Sequence, residues 1–258
     1  MYRVLSLFAG IGGFDLGLER TGGFKTVAFC EIDPFCRKVL AKHWPEVPCY
    51  EDVRELTAER LAADGIAVDV ICGGFPCQDI SVAGRRAGMG EGTRSGLWSE
   101  VARLVGELRP KFLFVENVAG LLSGPSDKPG GWFGRVLGDL AERRYDAEWE
   151  NIPASTLGAP HRRERVWLVA YPGGHGLEAQ PAEAIVFNAA FVRGVCGRLS
   201  EMGGAREWTE PRPIGARPME VGNGIPDELG EIKAYGNAVV PQIPELIGRA
   251  ILAAEAEA

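Results

Sequence analysis

The sequence predicts an α/β fold: a mostly parallel sheet with helices on both faces, plus a small irregular insert. Three observations lead there. Short apolar runs alternate with helical stretches from the N-terminus, the pattern that sets crossover helices on both sides of parallel strands. A glycine-rich turn follows the first run directly, as at a strand-to-helix junction. The alternation then fails from about Tyr171 to Ile232, a stretch rich in Gly, Pro and Arg, and recovers in a helical C-terminus.

The elements follow in order. Arg3 to Phe8, Thr26 to Cys30, Val68 to Cys72, Phe112 to Val115 and Val166 to Ala170 read as short buried strands. Between and after them, Phe14 to Arg20, Pro34 to His43, Glu59 to Ala63, Leu97 to Leu108 and Trp132 to Arg143 read as helices. Within the irregular stretch only Ala182 to Arg193 looks helical, and Ile243 to Ala256 forms the C-terminal helix. Residues 1–170 and 233–258 are therefore expected to form the main domain, with 171–232 as the insert. At 258 residues the chain is long enough to bury a core without staples.

Composition narrows the classes. Hydrophobic residues at 46% and charged ones at 24% exclude wholesale disorder. The 35 glycines follow no fixed period, which excludes collagen and solenoids. The best apolar run, Val4 to Leu18, is broken by glycines and Asp15, short of the roughly 20 residues of a membrane span. It also lacks the basic lead-in and cleavage site of a signal peptide, so a cytoplasmic chain is expected. The six cysteines are scattered without a C-x-x-C, and no metal site or disulfide framework is expected. A net charge of −7 argues against a nonspecific nucleic-acid coat, while leaving room for one local basic surface.

Five motifs carry chemistry. Phe8-Ala9-Gly10-Ile11-Gly12-Gly13 follows the first strand, where glycines admit a ligand to backbone N–H groups. Asp15 occupies the place of the third glycine of the nicotinamide fingerprint, which is therefore unsatisfied. Glu31-Ile32-Asp33 ends the second strand about 20 residues on, where an acid can hold ribose hydroxyls. By themselves the loop and the acid fit a nucleoside site or a tight turn equally. Gly73-Gly74-Phe75-Pro76-Cys77-Gln78 follows the third strand, where open α/β sheets bind ligands; the bland alternative is a buried structural cysteine. After it comes a polar loop, Asp79 to Ser95, with Arg85, Arg86 and Arg94, built as a basic lid would be. Glu116-Asn117-Val118 ends the fourth strand, either as a functional carboxyl or as a turn acid. Arg163 and Arg165 alternate at the start of the fifth, on one face of a strand or simply solvated.

In this order and spacing, these motifs, with Asp52-Val53 and Gly236-Asn237-Ala238-Val239, resemble the DNA cytosine-5 methyltransferase family. The resemblance covers nearly everything outside about 171–220. It implies a Rossmann-like S-adenosylmethionine-dependent methyltransferase fold. S-adenosyl-L-methionine would occupy the glycine-loop site, with Phe8 on the adenine and Gly10 and Gly12 admitting the methionine portion. Glu31 would take the ribose hydroxyls and Asp52 the adenine amine. Ala9, Ile32, Val53, Pro76 and Leu97 would line the pocket, and Asn237 and Ala238 would help to close it. Cys77 would attack carbon 6 of a flipped-out cytosine, Glu116 would protonate or hydrogen-bond ring nitrogen 3, and Arg163 and Arg165 would hold the carbonyl oxygen and a neighbouring acid or phosphate. Gln78, Ser81, Arg85 and Arg86 would contact DNA, and 171–232 would be the target-recognition region. No metal is implied.

The resemblance further implies a monomer acting on double-stranded DNA for restriction–modification or phage self-protection, with a cognate restriction endonuclease as a partner outside any stable complex. The alternatives are the transfer-RNA branch of the same family and a non-catalytic DNA-binding relative; intact Cys77, Glu116, Arg163 and Arg165 count against the latter. Three features depart from the family pattern. The region between Ala170 and Gly236, where the family builds its target-recognition domain, is short and lacks the arginine-to-glutamate segment that usually precedes the Gly-Asn motif. His161 stands where glutamine is usual, and Tyr171 to Tyr235 carries six basic residues against nine acidic ones.

Overall fold

The computed structural model describes residues 1–76, 97–123, 131–157, 163–173, 186–187, 191 and 238–257. Seven strands form one sheet: β1 (Tyr2–Leu7), β2 (Phe24–Cys30), β3 (Cys49–Tyr50), β4 (Val70–Gly73), β5 (Phe112–Val118), β6 (Tyr145–Pro153) and β7 (Glu164–Pro172). Their spatial order is β3-β2-β1-β4-β5-β7-β6. The first five pair in parallel, and β7 runs antiparallel between β5 and β6. The described helices are α1 (Gly13–Glu19), α2 (Pro34–His43), α3 (Ala58–Ala63), α4 (Trp98–Leu108), α5 (Gly131–Glu142) and α6 (Gln242–Glu257). None is long and apolar enough to cross a membrane.

Strand alternation decides what each face buries. Leu5, Leu7, Ile71, Leu113, Val115 and Leu168 point to one face, where they meet Leu61 of α3, Trp98 and Val105 of α4, and Val136 and Leu140 of α5. Val4, Val70, Phe114, Trp167 and Val169 point to the other, against Phe14 and Leu18 of α1 and Ile243, Ile247 and Ile251 of α6. Helices therefore cover both faces, as the alternation predicts. α2 starts where Asp33 caps it, its Oδ1 accepting from the N–H of Phe35 at 2.9 Å and of Cys36 at 3.4 Å, with Pro34 in the first turn.

One polar device sits within this core and a second at its edge. Asp15 is fully buried and accepts hydrogen bonds from Ser6 Oγ and Thr26 Oγ1, both at 2.9 Å, which tie α1 to β1 and β2. On β6, the Glu148 carboxylate accepts from the N–H of Val186 at 3.0 Å and of Phe187 at 3.2 Å. Val186 and Phe191 are buried in the second apolar layer, so part of the stretch expected as an insert returns to the main core.

Five strands and six helices lie within a few residues of their predicted positions. Strands β3 and β6 are additions. β3 is only two residues long, and β6 is an edge strand burying only Tyr145 and Ile152. The chain steps outward from β1 through β2 to β3, then returns to β4 on the other side of β1. That reversal opens a crevice at the strand C-termini between β1 and β4, where such sheets bind ligands.

Candidate active site

One half of the crevice is built from the turn after β1. Phe8 leaves the strand with φ 52°, a left-handed conformation rare for a bulky residue and characteristic of strained functional positions. Gly12 precedes α1 with φ 82°, and any side chain there would run into Trp44. Gly10 N–H donates to Glu31 Oε2 at 2.7 Å, Asp33 N–H donates to Glu31 Oε1 at 2.8 Å, and Glu31 N–H donates to Tyr50 carbonyl oxygen at 2.9 Å. The Glu31 carboxylate thus fastens the turn after β1 to the end of β2, and its backbone N–H ties that end to β3. Beside it Ile32 is 60% exposed, an apolar surface at the strand edge. Ala9 N–H donates to Cys30 carbonyl oxygen, keeping the turn flush with β2.

Asp52 follows β3. Its carboxylate accepts from both the backbone N–H and the guanidinium of Arg54, which holds it below the usual carboxylate range. Val53 is buried in the first apolar layer, and Leu97, at the start of α4, packs against that layer with Phe8. From the far end of the chain, the segment 238–241 that includes Ala238 lies directly on α1. The backbone carbonyls of Val239 and Pro241 sit where side chains at Gly13 and Gly17 would project, so only glycine allows this approach.

The other half of the crevice lies between β4, β5 and β7. Pro76 follows Phe75, whose carbonyl accepts from Asn117 Nδ2 at 3.1 Å; Asn117 Oδ1 in turn accepts from Val118 N–H. Glu116 points to the opposite side of β5. Its Oε1 lies 2.9 Å from Arg165 Nε, and only 12% of its side chain is exposed. Burial pushes the Glu116 carboxyl above its usual range, while the charges of Arg165 and Arg163 partly offset this. Arg163 is half-buried, with φ 29° at the mouth of β7; burial and the nearby Arg165 lower its pKa, while Glu116 opposes them.

The structure thus brings Phe8, Ala9, Gly10, Gly12, Glu31, Ile32, Asp52, Val53, Pro76, Leu97, Glu116, Arg163, Arg165 and Ala238 to one edge of the sheet. Cys77, Gln78, Ser81, Arg85, Arg86, Arg94 and Asn237 lie outside the described residues. Asn117 and Gly74 escaped sequence reasoning as site-shaping positions. The Glu-Asn-Val triplet and the glycine pair before Phe75 were the available signals.

Residues 2–190 match the family model of the C-5 cytosine-specific DNA methylases. The type II methyltransferase M2.BsuMI of Bacillus subtilis is 36% identical over 172 residues, 65% of this chain and 41% of that protein. M.Eco47II of Escherichia coli is 39% identical over 171 residues, 66% of this chain and 39% of that protein. The chain thus spans about two fifths of the length of these curated relatives. A solved structure of a candidate DNA modification methyltransferase from an E. coli prophage superposes with TM-score 0.57 at 28% identity, covering 73% of this chain and 51% of its own. That of Spodoptera frugiperda DNMT2 gives TM-score 0.56 at 19% identity over 71% and 54%, a likeness of fold alone.

Proposed function

The chain belongs to the C-5 cytosine-specific DNA methylase family, and from that premise we propose that it transfers a methyl group from S-adenosyl-L-methionine to carbon 5 of a cytosine flipped out of duplex DNA. The observation that carries this reading is the buried Glu116 carboxyl, paired with Arg165 and standing over Gly74, three residues before Cys77.

The residues of the glycine-loop half suit an adenosine-bearing cofactor. The Glu31 carboxylate accepts two backbone N–H hydrogen bonds and keeps lone pairs for ribose hydroxyls, and Ile32 offers an apolar surface to a purine. S-adenosyl-L-methionine, when bound, supplies the electrophilic methyl group. Cys77, as the thiolate, would form a bond to carbon 6, which makes carbon 5 nucleophilic enough to take the methyl group, the electron pair of the broken sulfur–methyl bond staying on sulfur as a neutral thioether. Loss of the carbon 5 proton to a base then expels the thiolate and restores the ring. Cytosine is a poor electrophile, so the attack needs help at ring nitrogen 3. Glu116 gives that help by holding a proton its burial favours, and donating it in a hydrogen bond to nitrogen 3. Arg165 aims the carboxyl through its Nε contact, and Arg163 beside it is the donor for the cytosine carbonyl oxygen.

In this reading the loop after Cys77, through Gln78, Ser81, Arg85 and Arg86, contacts DNA. Residues within 171–232 choose the target. The chain acts as a cytoplasmic monomer in a restriction–modification or phage-protection setting, alongside a separate cognate endonuclease. The test supplies labelled S-adenosyl-L-methionine to the full chain with duplex DNA and, separately, with tRNA. Label in 5-methylcytosine of the duplex is the expected result. Label in tRNA alone would move the substrate to that branch, and cofactor binding without label in either would leave a non-catalytic relative.

A further inference from the structure

We infer that Arg103 is a positioning residue for the adenosine end of the cofactor site, an assignment that rests on the proposed cofactor reading with Asp52 as the acceptor for the adenine amine. The turn that follows Asp52 has little backbone structure of its own. β3 ends at Tyr50 and α3 begins only at Ala58, and within the turn Glu55 N–H reaches the Asp52 carbonyl at 3.1 Å. Its shape is imposed by α4. Arg103 Nη2 donates to the carbonyl oxygens of Val53 at 3.0 Å and Leu56 at 2.9 Å, spanning the turn from beneath.

Two acids on the same ridge of α4 aim that guanidinium. Glu100 Oε2 accepts from its Nε at 2.9 Å and Glu107 Oε1 from its Nη1 at 2.7 Å, so each edge of the plane is engaged. Glu107 Oε2 also accepts from Ala58 N–H at 3.0 Å, fixing the start of α3 to the same ridge. Leu97 stands at the head of this helix. One rigid element therefore sets both Leu97 and the turn carrying Asp52, whose carboxylate Arg54 orients locally. A planar fork is needed to bridge two carbonyls while pairing two carboxylates; an ammonium on a flexible stem satisfies fewer of them at once.

The test titrates S-adenosyl-L-methionine into the full chain as wild type, Arg103→Met, Arg103→Lys, Asp52→Ala and the Arg103→Met/Asp52→Ala double variant, with turnover measured beside it. Arg103→Met is expected to weaken cofactor binding about tenfold and to raise the cofactor KM by a like factor with little change in kcat. Arg103→Lys should recover part of the loss. In the Asp52→Ala background the same change should cost less than about threefold, because the group being positioned is gone. Equal losses in the two backgrounds, unaltered affinity, or a fall in kcat with KM unmoved would each overturn the assignment. Should the methionine variant not fold, the lysine variant, which keeps charge between Glu100 and Glu107, carries the same comparison. A wild-type chain that binds no cofactor overturns the cofactor reading and this inference together, whereas binding indifferent to Arg103 overturns this inference alone.

Discussion

A Cβ at Gly74 would lie 2.9 Å from Glu116 Oε2 and 3.1 Å from the Glu116 backbone oxygen. The carboxyl therefore occupies the space that any other residue would fill, and the backbone behind it cannot yield. Gly74→Ala should displace Glu116 without touching the glycine-loop half. Turnover is expected to fall by about 10², the scale of an ångström-sized misplacement, with cofactor affinity unchanged. A variant that turns over normally would remove Gly74 from the site.

Glu116→Gln keeps the shape but not the proton. Methylation should fall by a factor of about 10² to 10⁴ if the carboxyl acts as an acid. The pH profile carries more information. Burial raises this carboxyl, so the protonated form persists further up the pH scale than for a free glutamate and is lost as pH rises through the raised value. Wild-type kcat should therefore decline on that alkaline limb, and the Gln variant should lack it. Profiles of identical shape would sink the acid role.

DNA containing 5-fluorocytosine should trap a covalent adduct on Cys77, because fluorine cannot leave as a proton does. Cys77→Ser should abolish the adduct while leaving cofactor binding intact. The structure argues against Cys72 as the nucleophile. It is fully buried, and burial with the nearby Asp15 charge keeps its thiol protonated. An adduct surviving in Cys77→Ser would remove Cys77 as the nucleophile, and one mapped to Cys72 would contradict the second statement as well.

Asp15 bears on stability. Burial raises its pKa from 3.8 to about 6, against the pull of Ser6 and Thr26. A carboxyl raised on folding contributes stability that is present at low pH and lost as pH rises from about 4 through about 6. The loss amounts to roughly 3 kcal/mol at most. Asp15→Asn cannot ionise, and it keeps an acceptor for one hydroxyl and a donor for the other. It should be the more stable protein at pH 8 in urea unfolding, with the gap narrowing below about pH 6 and closing toward pH 4. A gap independent of pH would rule out the titration.

How much of this was legible in the sequence depended on chain locality. Val4 to Leu7, Val70 to Cys72, Phe112 to Val115 and Val166 to Ala170 are buried on both faces and apolar save for Ser6, and such runs announce strands. β6 does not, because Asp146, Glu148 and Glu150 interleave with a few half-buried neighbours on an edge. At the site, Phe8, Glu31 and Glu116 could be found from their place at or just past strand ends. Arg103 could not, since the carbonyls it holds lie 50 and 47 residues away and only the packing of α4 brings them near. Asp15 read as a broken fingerprint; its partners Ser6 and Thr26 give it a structural purpose that spacing alone could not disclose.

The hold of Glu148 on Val186 and Phe187 also bears on how new specificities could be grafted onto this scaffold. A cut at the end of β7 would strip away Val186 and Phe191, which share an apolar layer with α6, and would take from Glu148 Oε2 the two N–H donors of Val186 and Phe187. Chimaeras joined there should be unstable whatever segment is borrowed. The permissive upstream splice point lies beyond Phe191, so that the scaffold keeps its own anchor and the foreign segment begins after it.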